Sequence, residues 1–209
     1  TTTDKKLATL YIAEARALRG MFYFELVRRF GNVVLMTSTQ MSNQNPATYV
    51  QSAPEKVYEY IEDDLLYACD ILPYATDDQY RESNDYRFSK GAALGLLTKV
   101  YATWAGYPVK DESKWEAAAK TARILVESGK HGLLKDYEQL WKNTCNGTWD
   151  PTESLIEISF YSPTVSGNSD PVGRIGKWNG VKTTAIAGVR GSCAANVKVV
   201  HTFVLDCFG

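Results

Sequence analysis

"AEARALRGMFYFELVRRFG", residues 13–31, decides how the rest of the chain is read. The stretch is almost apolar throughout, yet it holds two glutamates and four arginines. An ordinary surface helix shows one apolar stripe. Here two faces are apolar. Leu7, Tyr11, Ala15, Leu18, Phe22 and Leu26 recur at helical spacing on one of them. Ala13, Ala17, Met21, Phe24 and Val27 cover much of another. The pattern predicts a helix from Asp4 to Phe30. Arg28 and Arg29 suit the negative end of its dipole, and Gly31 suits the left-handed position that ends it. A helix so widely apolar is expected to be central, buried by neighbours on several sides. Its charges then have structural work, because buried charge must be paired. Glu14, Arg16 and Arg19 are expected to clamp neighbouring helices and loops, and Glu25 to reach Arg28 or Arg29 along its own helix.

Three more helices lie downstream. "SAPE" offers Ser52 and Glu55 as a capping box ahead of the stripe Val57, Ile61, Leu65, Ala68 and Leu72, which Pro73 stops. The next runs from about Phe88 to Ala105, capped by Ser89. Its small-residue run "GAALGLL" lets a neighbouring helix come close. "SKWE" offers a second capping box, Ser113 with Glu116, for a helix ending at Gly129. The expected fold is mainly α, with helical hairpins stacked in series in tetratricopeptide fashion. Residues 1–130 are the helical-hairpin core. Residues 131–209 are a loop-rich segment of the same domain with short strands, and helical periodicity is lost there. "ESLIEISF", residues 153–160, alternates apolar with polar and is the best strand candidate.

Composition narrows the function. The chain has 209 residues and a net charge of −1, so no overall field draws nucleic acid or anionic lipid. No apolar run is long enough to span a bilayer. The four cysteines, at 69, 145, 193 and 207, form no CxxC pair, and His131 and His201 are the only histidines, so neither a zinc site nor another metal or cofactor site is indicated. No nucleophile motif or phosphate-binding glycine loop occurs. The acidic run Glu62, Asp63 and Asp64 diverges around a helix and reads as a solvated face rather than a catalytic pair. Apolar residues persist to the last position, which reads as a fragment of a longer protein.

A resemblance adds to this. "AEARALRGMFYFELVRRFGNVVL" resembles the signature helix and short apolar strand of the SusD/RagB family, outer-membrane nutrient- and glycan-binding lipoproteins of Bacteroidetes-type bacteria. "VYEYIEDDLLYACDILP", "RFSKGAALGLLTKVYAT" and "WEAAAKTARILVESGKHGLLKDYEQLW" resemble its following helices, and "ESLIEISF" resembles the strand after them. The similarity runs over about residues 7–162. The family's lipid-bearing cysteine and long C-terminal part are not in this sequence.

The resemblance implies capture of an oligosaccharide, or another nutrient, at the cell surface, without catalysis. It also implies hand-over to a SusC-like TonB-dependent transporter, with membrane attachment only through a lipid anchor. A helical-repeat module binding a protein partner is the alternative, and an all-α glycoside hydrolase the remoter one. A sugar stacks its CH face on an aromatic ring and needs polar groups at the rim. Trp178 on the glycine-rich stretch "GRIGKWNG", flanked by Arg174 and Asn179, fits that description, and the family places part of its glycan site in loops after the hairpins. Trp149 and Tyr161 are secondary candidates. Trp104, Trp115 and Trp141 occupy motif positions and are expected in the core.

Overall fold

The computed structural model of the chain describes residues 2–38, 45–81, 86–146 and 148–158. The elements are α1 (Thr2–Phe30), β1 (Val33–Val34), β2 (Gln51–Ser52), α2 (Pro54–Ile71), α3 (Lys90–Ala105), α4 (Lys114–Glu127) and α5 (Tyr137–Asn146). α1 packs on α2 and α3 on α4, and the two hairpins meet where α2 lies against α3. The mainly helical, stacked-hairpin expectation is what the structure shows.

The order of layers differs from expectation. α2 and α3 are the inner helices, and α1 is an outer one. α2 buries its whole predicted stripe: Val57, Ile61, Leu65 and Ala68 are fully enclosed and Leu72 nearly so. α3 buries Ala92, Ala93, Leu94, Leu97, Val100, Tyr101 and Trp104. α1 buries only the face carrying Ala13, Ala17, Phe24 and Val27. Its other apolar face is open: Tyr11, Leu18, Phe22 and Leu26 are 40–58% exposed. The expectation that α1 is enclosed on several sides is therefore corrected.

Local signals decide the ends. Gly31 closes α1 at φ +69°, its N–H donating to the Val27 carbonyl at 2.9 Å. A residue with a Cβ would be strained there. The chain then turns into β1, which pairs antiparallel with β2, Val33 opposite Ser52. That pairing overturns the first capping box. Ser52 is spent in the strand, Ala53 takes the cap position without a side-chain bond, and Pro54 supplies the fixed φ of the first turn. The second box is also absent. Ser113 is already helical, and its hydroxyl donates to Asp111, whose carboxylate organises the turn instead. Ser89 does cap α3, accepting from the Ala92 N–H at 3.2 Å.

The small residues of α3 admit a close neighbour, but it is not a helix. A Cβ on Gly91 would lie 2.1 Å from His131 Nε2, and one on Gly95 2.7 Å from Leu155 Cδ1. The segment after α4 thus lies on α3, and residues 1–157 make one compact unit. Within that segment, residues 153–158 form no strand. Their bonds go to loops: the Leu134 N–H donates to Glu153 at 2.7 Å, and the Ser154 N–H to the Asp150 carbonyl at 3.0 Å. Residues 159–160 of the proposed strand lie outside the described residues. Helix α5 was not expected after residue 130. Its local signal is Asp136, which accepts from the Glu138 N–H at 2.9 Å and starts the first turn.

Candidate functional site

The charges of α1 meet on one carboxylate. Asp64 of α2 is fully buried. Arg16 donates through Nε at 2.7 Å to Oδ1. Arg19 grips the same group as a fork, Nε to Oδ2 at 2.7 Å and Nη2 to Oδ1 at 2.8 Å. Bidentate guanidinium–carboxylate geometry of this kind is strong and directional. Each guanidinium also lies over a tyrosine ring of α2, Arg16 over Tyr67 at 4.3 Å and Arg19 over Tyr60 at 4.7 Å. The hydrogen bond to Asp64 holds Arg19 still more firmly protonated, against the opposing effect of burial. Glu14 makes the companion clamp with Arg87 of the segment leading into α3. Glu25 accepts from both Arg28 and Arg29, and those bonds lower its pKa. All the α1 charges singled out in the sequence are thus structural, as expected.

The acidic run of α2 is not one solvated face. Asp64 is the buried anchor, so that expectation is corrected for it. Glu62 accepts from the Tyr101 hydroxyl at 2.7 Å and from Lys114 Nζ at 3.1 Å. Burial, reinforced by that bond to Glu62, raises the Tyr101 pKa. Lys114 also sits 3.8 Å over the Trp104 ring, which stacks on Tyr58 at 5.3 Å between centroids. The carboxylates of residues 62 and 64 therefore serve different helix pairs and do not converge on a reacting atom. Among the described residues no group of three histidine, cysteine or acidic side chains could hold a metal. Burial pushes the Cys69 thiol up to about 12, which leaves it a protonated, unreactive core residue.

The aromatic candidates separate. Trp149 is 8% exposed, with the Arg81 guanidinium 5.2 Å over its ring and Tyr86 at 6.1 Å. A ring covered in this way pins the 148–158 segment to the loop before α3 and gives a sugar no open face. Trp104 is core, as expected, but Trp115 and Trp141 are 53% and 63% exposed, so the core assignment is corrected for both. Tyr161, Arg174, Trp178 and Asn179 lie outside the described residues.

One well-formed depression lies on the open side of α1. It has a volume of about 440 Å³ and runs between α1 and the chain from β1 onward, lined by Leu18, Arg19, Phe22, Tyr23, Leu26, Val34 and Met36. The Tyr23 hydroxyl accepts from the Met36 N–H at 2.7 Å. The sequence contained the signal for this groove: the first of the two apolar stripes on α1 is its floor.

Residues 2–102 match the model of a SusD-like family described as starch-binding and associating with the outer membrane. A SusD-like protein of Bacteroides ovatus is 29% identical over 182 residues, covering 82% of this chain and 32% of its own length. A SusD homologue from Bacteroides thetaiotaomicron, solved by crystallography, is 99% identical with a TM-score of 0.90, over all of this chain and 39% of that one. A structure solved with a xylogluco-oligosaccharide is 32% identical with a TM-score of 0.58, over 72% of this chain and 29% of that one. The chain therefore spans about a third of the length of these relatives.

Proposed function

The chain belongs to the SusD-like family, and on that premise we propose that it is the helical scaffold of a protein that captures oligosaccharide without cleaving it. The supporting observation is the 32% identical relative solved with a xylogluco-oligosaccharide. The physical support is the clamp at Asp64. Four bonds from two arginines lock α1 to α2, counting the 3.2 Å bond from Arg16 to the Asp63 carbonyl. A locked scaffold holds binding loops at a low entropic cost to the ligand.

In this reading Trp178 stacks on the sugar and Arg174 and Asn179 bond its hydroxyls, and Tyr161 is a further candidate contact. Capture takes place at the outer-membrane surface, and the ligand passes to a TonB-dependent transporter. The family description as associating with the outer membrane supports that setting. The rival reading, a helical-repeat module that binds a protein partner, draws on the apolar groove of α1.

Calorimetric titration of the full-length protein against soluble glycans, with chromatography of the mixture afterwards, tests the proposal. The expected result is binding with intact glycan recovered, weakened about tenfold or more by Trp178→Ala. Equal affinity in parent and variant removes Trp178 from the site. Shortened products overturn the non-catalytic reading.

A further inference from the structure

His131 is wedged against the first turn of α3. Its Nδ1 lies 2.8 Å from the Pro151 carbonyl. A carbonyl oxygen only accepts, so Nδ1 carries the hydrogen and the lone pair of the neutral ring sits on Nε2. Nε2 is buried and has no hydrogen-bond partner among the described residues. It is the atom nearest to where a Cβ on Gly91 would lie, at 2.1 Å, so it abuts the α3 backbone. The Tyr74 ring lies against the imidazole at 5.8 Å between centroids.

Acid delivers a second proton to Nε2, and three features oppose it there. No acceptor meets the new N–H. The first turn of α3 carries the positive end of the helix dipole. The charges at hand are cations: Lys130 precedes the histidine in the chain, and Lys90 Nζ lies 5.8 Å from the centre of the Tyr74 ring. The carboxylates of the neighbouring segments are engaged elsewhere. Asp77 accepts from Lys130 Nζ at 2.8 Å, Glu153 from the Leu134 N–H at 2.7 Å and Asp150 from the Thr152 N–H at 2.9 Å. A buried charge left without a partner costs far more than a buried neutral ring.

We propose that His131 is a proton-sensitive latch, which holds the chain after α4 on α3 while its ring is neutral and releases it when the ring is protonated. Once out of the notch, both ring nitrogens meet water, where a histidine takes its second proton at about pH 6.5. The released form therefore binds more protons than the docked form. Docking is complete above that range and weakens as pH falls through it. Gly129 and Gly132 flank the latch and meet nothing within 4 Å, which gives the chain room to turn. Leu155, seated against Gly95, leaves α3 with it.

Amide hydrogen exchange of the full-length protein, read by mass spectrometry and corrected for the intrinsic effect of pH, tests the latch. From pH 7.5 to pH 5.0, protection around residues 131–135 and 152–157 is expected to fall about tenfold or more, while that of α2 is kept. His131→Gln retains a donor for the Pro151 carbonyl but takes up no proton, so its protection should change by less than about twofold over the same range. Parent protection that ignores pH overturns the proposal. An equal fall in parent and variant assigns the effect to carboxylates such as Glu153 and also overturns it. Should His131→Gln fail to dock at pH 7.5, deuteration of the imidazole Cε1 in the parent reads the ring's protonation directly. Protonation and loss of amide protection in step are expected, and a protonated ring with protection intact overturns the latch. None of these readouts depends on glycan binding, so the two proposals fail separately.

Discussion

The two long faces of α1 carry similar side chains in opposite surroundings. On one, Phe24 is 1% exposed and its neighbours Ala13 and Ala17 are fully enclosed by α2. On the other, Phe22 is 58% exposed and looks into an open groove. These phenylalanines are two positions apart in sequence, and about half the helix circumference separates them in space. Among the described residues only one face is opposed by a matching helix stripe. Arginine placement follows the same division: Arg16 and Arg19 reach round to the α2 side and meet a fully buried carboxylate, whereas Arg28 and Arg29 pair locally with Glu25. Amphipathicity thus states that a face needs covering. It does not state by what.

Substitution on each face gives the largest expected contrast. In this chain Phe24→Ala is expected to cost about 3–5 kcal/mol, the range for deleting a fully buried phenyl ring. Phe22→Ala should cost well under about 1 kcal/mol, because its ring is already in water. Urea unfolding of both variants checks the pair. Similar losses at the two positions would mean that the outer face is packed here as well.

The glycines of α3 sharpen the same point on the far side of the stack. Gly91→Ala places a methyl 2.1 Å from the His131 ring, whose Nδ1 lies 2.8 Å from the Pro151 carbonyl and so holds the ring in place. The cost is expected at about 1–3 kcal/mol, with earlier proteolytic cutting between residues 131 and 155. Gly95→Ala meets only the tip of the Leu155 side chain, so a smaller loss is expected, offset by the better helix propensity of alanine. Limited proteolysis with urea midpoints separates the two.

The smallest effect belongs to the exposed pairing. Arg28 and Arg29 depress the pKa of Glu25 in the folded state. Its contribution is therefore present above the ordinary glutamate pKa and lost as pH falls through the depressed folded value. Because the group is well solvated, Glu25→Gln should remove only a few tenths of a kcal/mol near neutrality. The difference from the parent should vanish in acid, as urea midpoints across pH would show.

Much of this architecture was legible in residues 1–130. The stripe of α2, the cap at Ser89, the stop at Gly31 and the pairing of Glu25 with Arg28 and Arg29 all come from short-range rules, and each holds. What failed depended on competing partners or on a weak local signal. The capping boxes at Ser52 and Ser113 met the spacing rule, but one serine was taken by a strand and the other by Asp111. Asp64 looked solvated because its two arginines lie 45 and 48 residues away. α5 is hard to read because it is only ten residues long and mostly polar. The candidate site was less legible than the fold. Trp149 was visible as an aromatic beside a loop, but nothing local revealed that Arg81 and Tyr86 cover its ring.

The clamp on Asp64 is the claim on which the scaffold rests, and a comparison of two variants tests it most directly. Asp64→Ala leaves two arginines aimed at an empty buried position and should cost about 3–5 kcal/mol. Replacing the whole cluster at once, Asp64→Leu with Arg16→Met and Arg19→Met, removes the stranded charges and should cost clearly less than that single change. Urea unfolding of the two proteins gives the answer. A triple variant less stable than Asp64→Ala, by the sum of three independent losses, would contradict the clamp.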